Sequence, residues 1–257
     1  MVPLQRKTLP GLDGIRLAAI LWIVLYHYGV ETAAAGVFSP PFFTSRACAA
    51  LVQGAVFWMT ALSGACLGLK YAAAPWRPAE YVKSRFLAIY PLFWLFFFPL
   101  FLYSDVLHHN NAGVAPWRLV FSVLGVDGFV QPWTPTFYKI GEWYLGCQIL
   151  LYCLFPLLLF AWRSRAGRGV MAACVLLVWG LSPFVTPQGV DVFHTVCGQL
   201  PAFAAGAAFG RALAAPQRAG RRPWAASGAL LAAAGLGALA RLPAYHLYSL
   251  AALGLFW

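Results

Sequence analysis

Two residues near the start of the sequence have side chains that could do chemistry inside a membrane. They are Arg16 and His27, and both lie within an apolar stretch, 12–30. Ionisable side chains at hydrocarbon depth are costly, so they usually face a protein interior or a water-filled cavity and mark a functional site. A histidine can accept a proton near neutral pH, and an arginine is a permanent cation. The pair therefore indicates acid–base chemistry on a charged substrate or a polar pathway through a membrane.

The spacing of Arg16 and His27 predicts that they share one face of a helix. An α-helix turns about 100° per residue, so the eleven-residue step between them completes roughly three turns plus 20°. The same step separates them by about 16 Å along the helix axis. A structural interpretation stays open, in which Arg16 reaches the membrane interface and His27 hydrogen-bonds to a neighbouring helix.

Apolar segments of membrane-spanning length must position these residues. The 257 residues are 61% hydrophobic and 10% charged, with a mean hydropathy of +0.72, which excludes an ordinary water-soluble surface. A spanning helix needs about 20 apolar residues. Segments that approach or reach this length are 12–30, 47–69, 86–104, 142–162, 169–186, 195–213 and 224–240, with a last run from about 246. The sequence predicts an all-α fold: a polytopic transmembrane bundle of about seven or eight helices, in one domain over residues 1–257.

Positive charges predict the orientation of the bundle. If the N-terminus is cytoplasmic, thirteen Lys and Arg residues lie in cytoplasmic segments and four lie on the opposite side. Cytoplasmic loops of membrane proteins are enriched in these residues. The net charge of +11 does not predict a nucleic-acid partner, because the basic residues alternate with apolar runs and form no basic face. A cleaved signal peptide is disfavoured because Asp13 and Arg16 interrupt the first apolar run.

The sequence LDGIR at 12–16, followed by ten residues and His27, resembles the opening helix of membrane acyltransferase family 3. Members of this family are bacterial integral-membrane enzymes that O-acylate sugars and glycans. The resemblance implies an inner-membrane enzyme that moves an acyl group, with acetyl favoured, from acyl-CoA to a hydroxyl of a cell-surface or exported carbohydrate. It also implies that His27 is the catalytic general base. Arg16 would anchor the donor or stabilise developing charge.

Later segments resemble the same family in the same order. KSRFLAIYPLFW, at 83–94, resembles the basic entry to the third helix, with Arg85 at the first of two arginine positions and Ala88 at the second. The resemblance implies that Arg85 and Lys83 bind the phosphates of CoA, the donor's anionic part. From the residues alone, the two cations are positive-inside residues of a cytoplasmic loop, 70–85.

The segment at 142–162 resembles another family helix, which commonly begins with Trp-x-Leu. Trp143 and Leu145 match that pattern, while Gln148 stands where many relatives have a glutamate. The resemblance implies that Trp143 and Gln148 bind substrate, although an amide cannot act as an acid or base. QLPAFAAGAAFGR, at 199–211, resembles a further family helix. Its small residues predict close packing, as does Gly64 with Gly68.

The remaining polar residues predict no metal site and no bound cofactor. The six cysteines lie mostly in apolar runs without metal-ligand spacing. His108 and His109 are expected in a solvated loop. Residues 117–130 are expected to form one short, partly embedded helix, and Glu142 is expected to be an interfacial charge.

Two alternatives to an active acyltransferase stay open. A transporter or export component could use Arg16 and His27 to line a polar pathway, although no inverted repeat is evident. The chain could also be a shortened, inactive relative, because its last apolar run is too short to span and family members usually have more helices.

Overall fold

The computed structural model describes residues 10–37, 40–72, 74–130, 133–186 and 190–214. Within these ranges the chain contains helices and no strands, which confirms the predicted all-α class. The helices are α1 (Pro10–Ala34), α2 (Arg46–Tyr71), α3 (Pro78–Phe101), α4 (Leu119–Leu124), α5 (Asp127–Val130), α6 (Glu142–Ala161), α7 (Arg165–Val185) and α8 (Val196–Ala214). A π-helical segment, Leu102–Leu107, extends α3, and short 3-10 helices lie at Pro41–Thr44, Pro116–Arg118 and Val192–His194.

Five of the described helices are long and apolar enough to cross a membrane. They are Gly11–Ala34, Arg46–Tyr71, Pro78–Leu107, Glu142–Ala161 and Arg165–Phe184. These helices confirm the first five predicted segments and identify a multi-pass membrane protein. α8 coincides with the predicted segment 195–213 but is not among the five, because Gln199, Pro201 and Arg211 lower its hydropathy. The predicted spans at 224–240 and from 246 lie outside the described residues.

Helix α3 begins earlier than predicted, and this places Lys83 and Arg85 on a helix. The expectation that both lie in a loop before the helix was wrong. Pro78 stands at the first helical position, where its fixed φ favours a helix and its missing N–H costs nothing. Glu80 adds a favourable negative charge in the first turn and pairs with Arg77 at 2.8 Å.

Contacts divide the chain into two compact units. The first contains Met1–Ala72 and Ala202–Trp257, and the second contains Ala73–Pro201. The prediction of a single domain is not tested by this division and stays a prediction.

In the first unit, α2 packs against α1 on one side and against the backbone of α8 on another. A Cβ atom at Gly64 would collide with the carbonyl oxygen of Phe203, and one at Gly206 would collide with that of Ala61. Glycine therefore allows the two helix backbones to touch, as the small-residue spacing predicted.

In the second unit, the region between α3 and α6 differs from the single short helix expected at 117–130. The chain forms a 3-10 turn, then α4, and then the four-residue α5. Gly125 separates α4 from α5 with φ at 69°, a left-handed conformation that few other residues adopt without strain. The break brings α5 against α6.

Candidate active site

Arg16 lies in the first unit, where α1 packs on α2. Its Nη2 atom donates to the Sγ atom of Cys66 at 3.3 Å, and its Nη1 atom lies 3.5 Å from an Asp13 carboxylate oxygen. The Asp13 contact is long, the side chains of Arg16 and Asp13 are 41% and 64% exposed, and a thiol sulfur is a weak acceptor, so neither contact holds the guanidinium firmly. A guanidinium has five N–H donors, so Arg16 keeps the capacity to bind an anion.

His27 lies about two turns from the end of α1 and is exposed. Its ring meets the ring of Tyr26 edge-on, with 5.5 Å between the centroids. Within the described ranges, neither ring nitrogen of His27 makes a hydrogen bond. The imidazole is therefore available to accept a proton from a bound group.

The unbroken helix α1 keeps Arg16 and His27 apart along its axis. Because Pro10–Ala34 is helical throughout, the eleven-residue step corresponds to about 16 Å. This distance joins the two backbone positions, and both roles expected of Arg16, donor anchor or stabiliser of developing charge, stay predictions.

Arg85 lies in the second unit, on the second turn of α3. Its guanidinium carbon is 5.3 Å from the ring centre of Tyr152 on α6, and its Nη2 atom donates to the hydroxyl of Ser84 at 3.0 Å. Its Nε atom is buried without a hydrogen-bond partner in the described part of the chain. No described carboxylate lies within ion-pairing distance of it. Arg85 is thus a half-buried cation that lacks an anionic partner among these residues.

Lys83 is exposed and points away from Arg85, because residues two positions apart on a helix lie on different faces. The structure does not bring the two cations together into one clamp.

An open groove of about 390 Å³ lies between α3 and α6. Its α3 wall is formed by Ala88, Ile89, Leu92, Phe93 and Phe96, and its α6 side is formed by Gly141, Glu142, Tyr144, Leu145, Gln148 and Tyr152 together with Ile140. Arg85 lies at one end of the groove, since it stacks on Tyr152 and precedes Ala88 by one turn.

The groove contains Gln148 but not Trp143. Gln148 is 6% exposed and lines the groove. Trp143 instead contacts the rings of Phe193 and His194, with centroid distances of 5.3 and 4.5 Å. Trp143 and Gln148 are five positions apart on α6, a step that turns the helix by about 140° beyond a full circle. These two predicted substrate-binding residues therefore lie on different faces of the helix and have different surroundings.

A buried polar network precedes α6, and the prediction that Glu142 is an interfacial charge was wrong. Glu142 is 1% exposed. Its carboxylate accepts hydrogen bonds from the backbone N–H groups of Lys139 and Ile140, at 2.9 to 3.1 Å. These bonds replace water as the partner of the charge and hold the entry to the helix.

Asp127 forms a second part of this network and is fully buried. Its carboxylate accepts a hydrogen bond of 3.0 Å from Ser122, whose oxygen in turn accepts the N–H of Phe137 at 3.2 Å. Burial raises the pKa of the Asp127 carboxyl above its usual range. Burial, together with the Glu142 carboxylate, raises the pKa of Tyr138 to about 12.

A buried ion pair completes the network. The Nζ atom of Lys139 lies 2.8 Å from a carboxylate oxygen of Asp105 and also donates to Ser104, while Asn111 donates to Asp105 at 2.6 Å. One sequence signal could have indicated this region: an acidic residue in the first helical turn just after Gly141, a pattern typical of helix entry. Among the described residues, no group of three or more His, Cys, Asp or Glu is arranged to hold a metal ion.

Comparison with known proteins gives one match. A family model described as "Acyltransferase domain" matches residues 9–257. No curated protein matches the chain, and no solved structure matches it.

Proposed function

The chain belongs to this acyltransferase domain family and is a membrane acyltransferase, and from that premise we propose that it transfers an acyl group from acyl-CoA to a hydroxyl of a carbohydrate. The favoured acyl group is acetyl, and the acceptor is a cell-surface or exported glycan. The observation that carries the proposal is His27, an imidazole on a membrane-spanning helix whose nitrogens make no hydrogen bond within the described ranges.

His27 acts as the general base of a direct transfer. The acceptor hydroxyl gives its proton to an imidazole nitrogen while its oxygen attacks the thioester carbonyl carbon. The tetrahedral intermediate then collapses, and the carbon–sulfur bond breaks. The imidazolium returns the proton to the departing CoA sulfur, so the products are an O-acyl carbohydrate and CoA. No cofactor is needed, because acyl-CoA is the donor substrate.

Arg16 anchors the donor rather than stabilising the reacting carbonyl. Its backbone position lies about 16 Å along α1 from that of His27, which favours a contact with a part of the donor remote from the bond that changes. CoA carries phosphates remote from its thioester, so a cation and a base at different depths of one helix suit this donor.

Residues of the second unit supply further substrate contacts under this proposal. Arg85, with no described carboxylate beside it, binds phosphate, and exposed Lys83 adds positive charge. Gln148 supplies a hydrogen-bonding amide in the groove. Trp143 offers an aromatic ring for the carbohydrate. These roles fit an inner-membrane protein with a cytoplasmic N-terminus. In that orientation CoA binds from the cytoplasmic side, where most of the Lys and Arg residues lie.

Acyl transfer by the purified protein in lipid nanodiscs tests the proposal. Acetyl-CoA is supplied with a mixture of glycans, CoA release is followed with a thiol reagent, and the glycans are examined by mass spectrometry. We expect CoA release that requires a glycan, together with a mass gain of one acetyl group on a glycan hydroxyl. A folded wild-type protein that neither binds acetyl-CoA nor releases CoA with any acceptor would overturn the assignment.

A further inference from the structure

We propose that the groove between α3 and α6 binds one hydrocarbon chain of an anionic phospholipid whose phosphate group pairs with Arg85. The binding of this lipid goes beyond the proposed function. Only its effect on the donor, described below, rests on that function.

The position of Arg85 along α3 matches the depth of a lipid phosphate. The spanning segment Pro78–Leu107 has 30 residues, which corresponds to about 45 Å, whereas the hydrocarbon core is about 30 Å thick. The ends of this segment therefore extend into the head-group region. Arg85 lies seven residues, or about 10 Å, from the start of the segment, near the boundary between hydrocarbon and head groups.

The surroundings of Arg85 favour a phosphate as its missing partner. The guanidinium is held over the Tyr152 ring, its Nε atom is buried, and no described carboxylate neutralises it. A guanidinium presents parallel N–H donors that match phosphate oxygens, and it is weakly hydrated, so it binds well at a half-buried site. Exposed Lys83 adds a second positive charge at the same end of α3. Basic pockets between transmembrane helices are known sites for anionic lipid head groups.

The groove favours a hydrocarbon chain over the arm of CoA. It begins one turn beyond Arg85 at Ala88, and its α3 wall consists entirely of apolar side chains. Leu92 and Phe96, 61% and 55% exposed, leave this wall accessible from the side. The amides of the CoA arm would lose hydrogen bonds to water against such a wall, whereas an alkyl chain loses none. The groove's volume of about 390 Å³ would hold about a dozen groups of the size of a water molecule, each about 30 Å³. This space suits one alkyl chain.

Ala88 is the residue that keeps the groove apolar where it meets the cation. The family resemblance places a second arginine at this position, and its charge would lie where the alkyl chain enters. With alanine, a single cation meets the phosphate and the chain continues along the apolar α3 wall, while the Glu142 carboxylate on the α6 side already accepts backbone N–H groups.

The lipid and the donor then compete for one guanidinium. If Arg85 binds a lipid phosphate, it cannot bind a CoA phosphate at the same time. Under the proposed function, a higher fraction of anionic lipid should therefore weaken donor binding.

Native mass spectrometry of the detergent-purified chain tests the lipid site directly. The probes are phosphatidylglycerol and phosphatidylcholine with identical acyl chains, titrated against the wild type, Arg85→Ala, Ala88→Trp and Arg165→Ala. Arg165 is the matched control, since it is an exposed arginine at the start of the spanning helix α7 and does not line the groove. We expect the wild type to prefer phosphatidylglycerol roughly tenfold, because the choline cation balances the phosphate charge of phosphatidylcholine, whereas phosphatidylglycerol keeps a net negative charge for Arg85. Arg85→Ala should abolish the preference for phosphatidylglycerol, and Ala88→Trp should weaken the binding of both lipids. Arg165→Ala should change neither the preference nor the binding of either lipid.

Three results would overturn the lipid site. One is equal binding of the two lipids by the wild type. Another is unchanged binding by Ala88→Trp. The third is binding of glycerol 3-phosphate as tight as that of phosphatidylglycerol, which would show a phosphate site without a chain. Thermal unfolding in phosphatidylcholine checks that each variant is folded, and Arg85→Lys, which keeps the charge, should retain part of the preference.

Donor binding separates the lipid proposal from the proposed function. Acetyl-CoA affinity is measured in nanodiscs of increasing phosphatidylglycerol content. A dissociation constant that rises with anionic lipid in the wild type, but not in Arg85→Ala, supports competition, and a constant that does not change contradicts it. If acetyl-CoA does not bind at any composition, the proposed function fails, while the mass-spectrometric preference still decides the lipid site.

Discussion

Helix α1 and the segment that leads into α6 both carry ionisable residues, but the two regions surround them in opposite ways. On α1, His27 is exposed, and its ring nitrogens make no hydrogen bond within the described ranges. Before α6, Glu142 is 1% exposed, and both of its oxygens accept backbone N–H groups. The difference separates a side chain that is available for chemistry from one that is used to build the fold.

A ranking by burial alone would place Asp127 and Glu142 above His27 as candidates for catalysis. A buried carboxylate with a shifted pKa is often taken as a sign of catalysis, but structural networks shift pKa values too. Asp127 is fully buried and accepts a hydrogen bond from Ser122, while both oxygens of Glu142 accept backbone N–H groups of Lys139 and Ile140, so both carboxylates stabilise the fold. The exposed residues of α1 are available to a substrate, and the following predictions test the contrast.

Removing the imidazole of His27 should have the largest effect. We expect both His27→Ala and His27→Gln to lower acyl transfer by about 10²- to 10⁴-fold, the usual contribution of a general base. Yield and melting temperature should be preserved, since the ring is exposed and makes no hydrogen bond within the described ranges. His108→Gln, a change of an exposed histidine outside α1, should leave transfer unchanged. A folded His27→Gln protein with full activity would make His27 a packing residue.

Glu142→Ala should damage the fold rather than the chemistry. Two backbone N–H groups would lose their acceptor, which should lower the free energy of unfolding by about 3 kcal/mol. Chemical denaturation in detergent measures the change. Glu80→Ala, which removes an exposed carboxylate from the first turn of α3, should cost less than about 1 kcal/mol. Equal stability of the two variants would contradict the structural role of Glu142.

Arg16→Ala should weaken the binding of acetyl-CoA without disturbing the packing of α1 on α2. Its two contacts in the structure are exposed, one being a long contact with Asp13 and the other a hydrogen bond to the weakly accepting sulfur of Cys66, so their loss should leave the melting temperature nearly unchanged. Loss of one phosphate contact should raise the KM for acetyl-CoA roughly tenfold. Asp13→Asn, which removes only its carboxylate neighbour, should not raise the KM. An unchanged KM in Arg16→Ala, or a fall in kcat alone, would argue against a donor anchor.

The smallest effect concerns Asp127 and pH. Burial raises the pKa of the Asp127 carboxyl in the folded protein above its value in the unfolded chain. The neutral carboxyl therefore contributes its full stability below the unfolded-state pKa, and this contribution is lost as the pH rises through the folded-state pKa. Asp127→Asn cannot ionise, yet its amide oxygen can still accept the Ser122 hydroxyl. Its stability should therefore fall less than that of the wild type as the pH rises, with a difference of less than about 1 kcal/mol at neutral pH. Parallel curves of melting temperature against pH would contradict a buried, destabilised carboxylate.

Local sequence patterns were enough to predict the family and the long apolar helices among the described residues. Apolar run length is a local property, and it predicted the segments at 12–30, 47–69 and 142–162, which the structure confirms as helices long and apolar enough to span a membrane. The period of the helix, also local, set the axial separation of Arg16 and His27 on an unbroken α1. Glycine spacing likewise predicted the close approach of α2, which Gly64 and the carbonyl of Phe203 confirm.

Which polar residues stabilise the fold depends on contacts between distant segments, and local sequence patterns do not report those contacts. Glu142 is buried because the backbone of Lys139 and Ile140 turns back onto it, and a hydropathy profile cannot report that turn. Arg85 meets Tyr152 across 67 positions of sequence, and the groove exists because α3 and α6 touch there while leaving a gap beyond Ala88. Helix propensity and apolar length act within a few turns of chain. Burial, the choice of hydrogen-bond partner and the shape of a groove depend on which distant segments pack together.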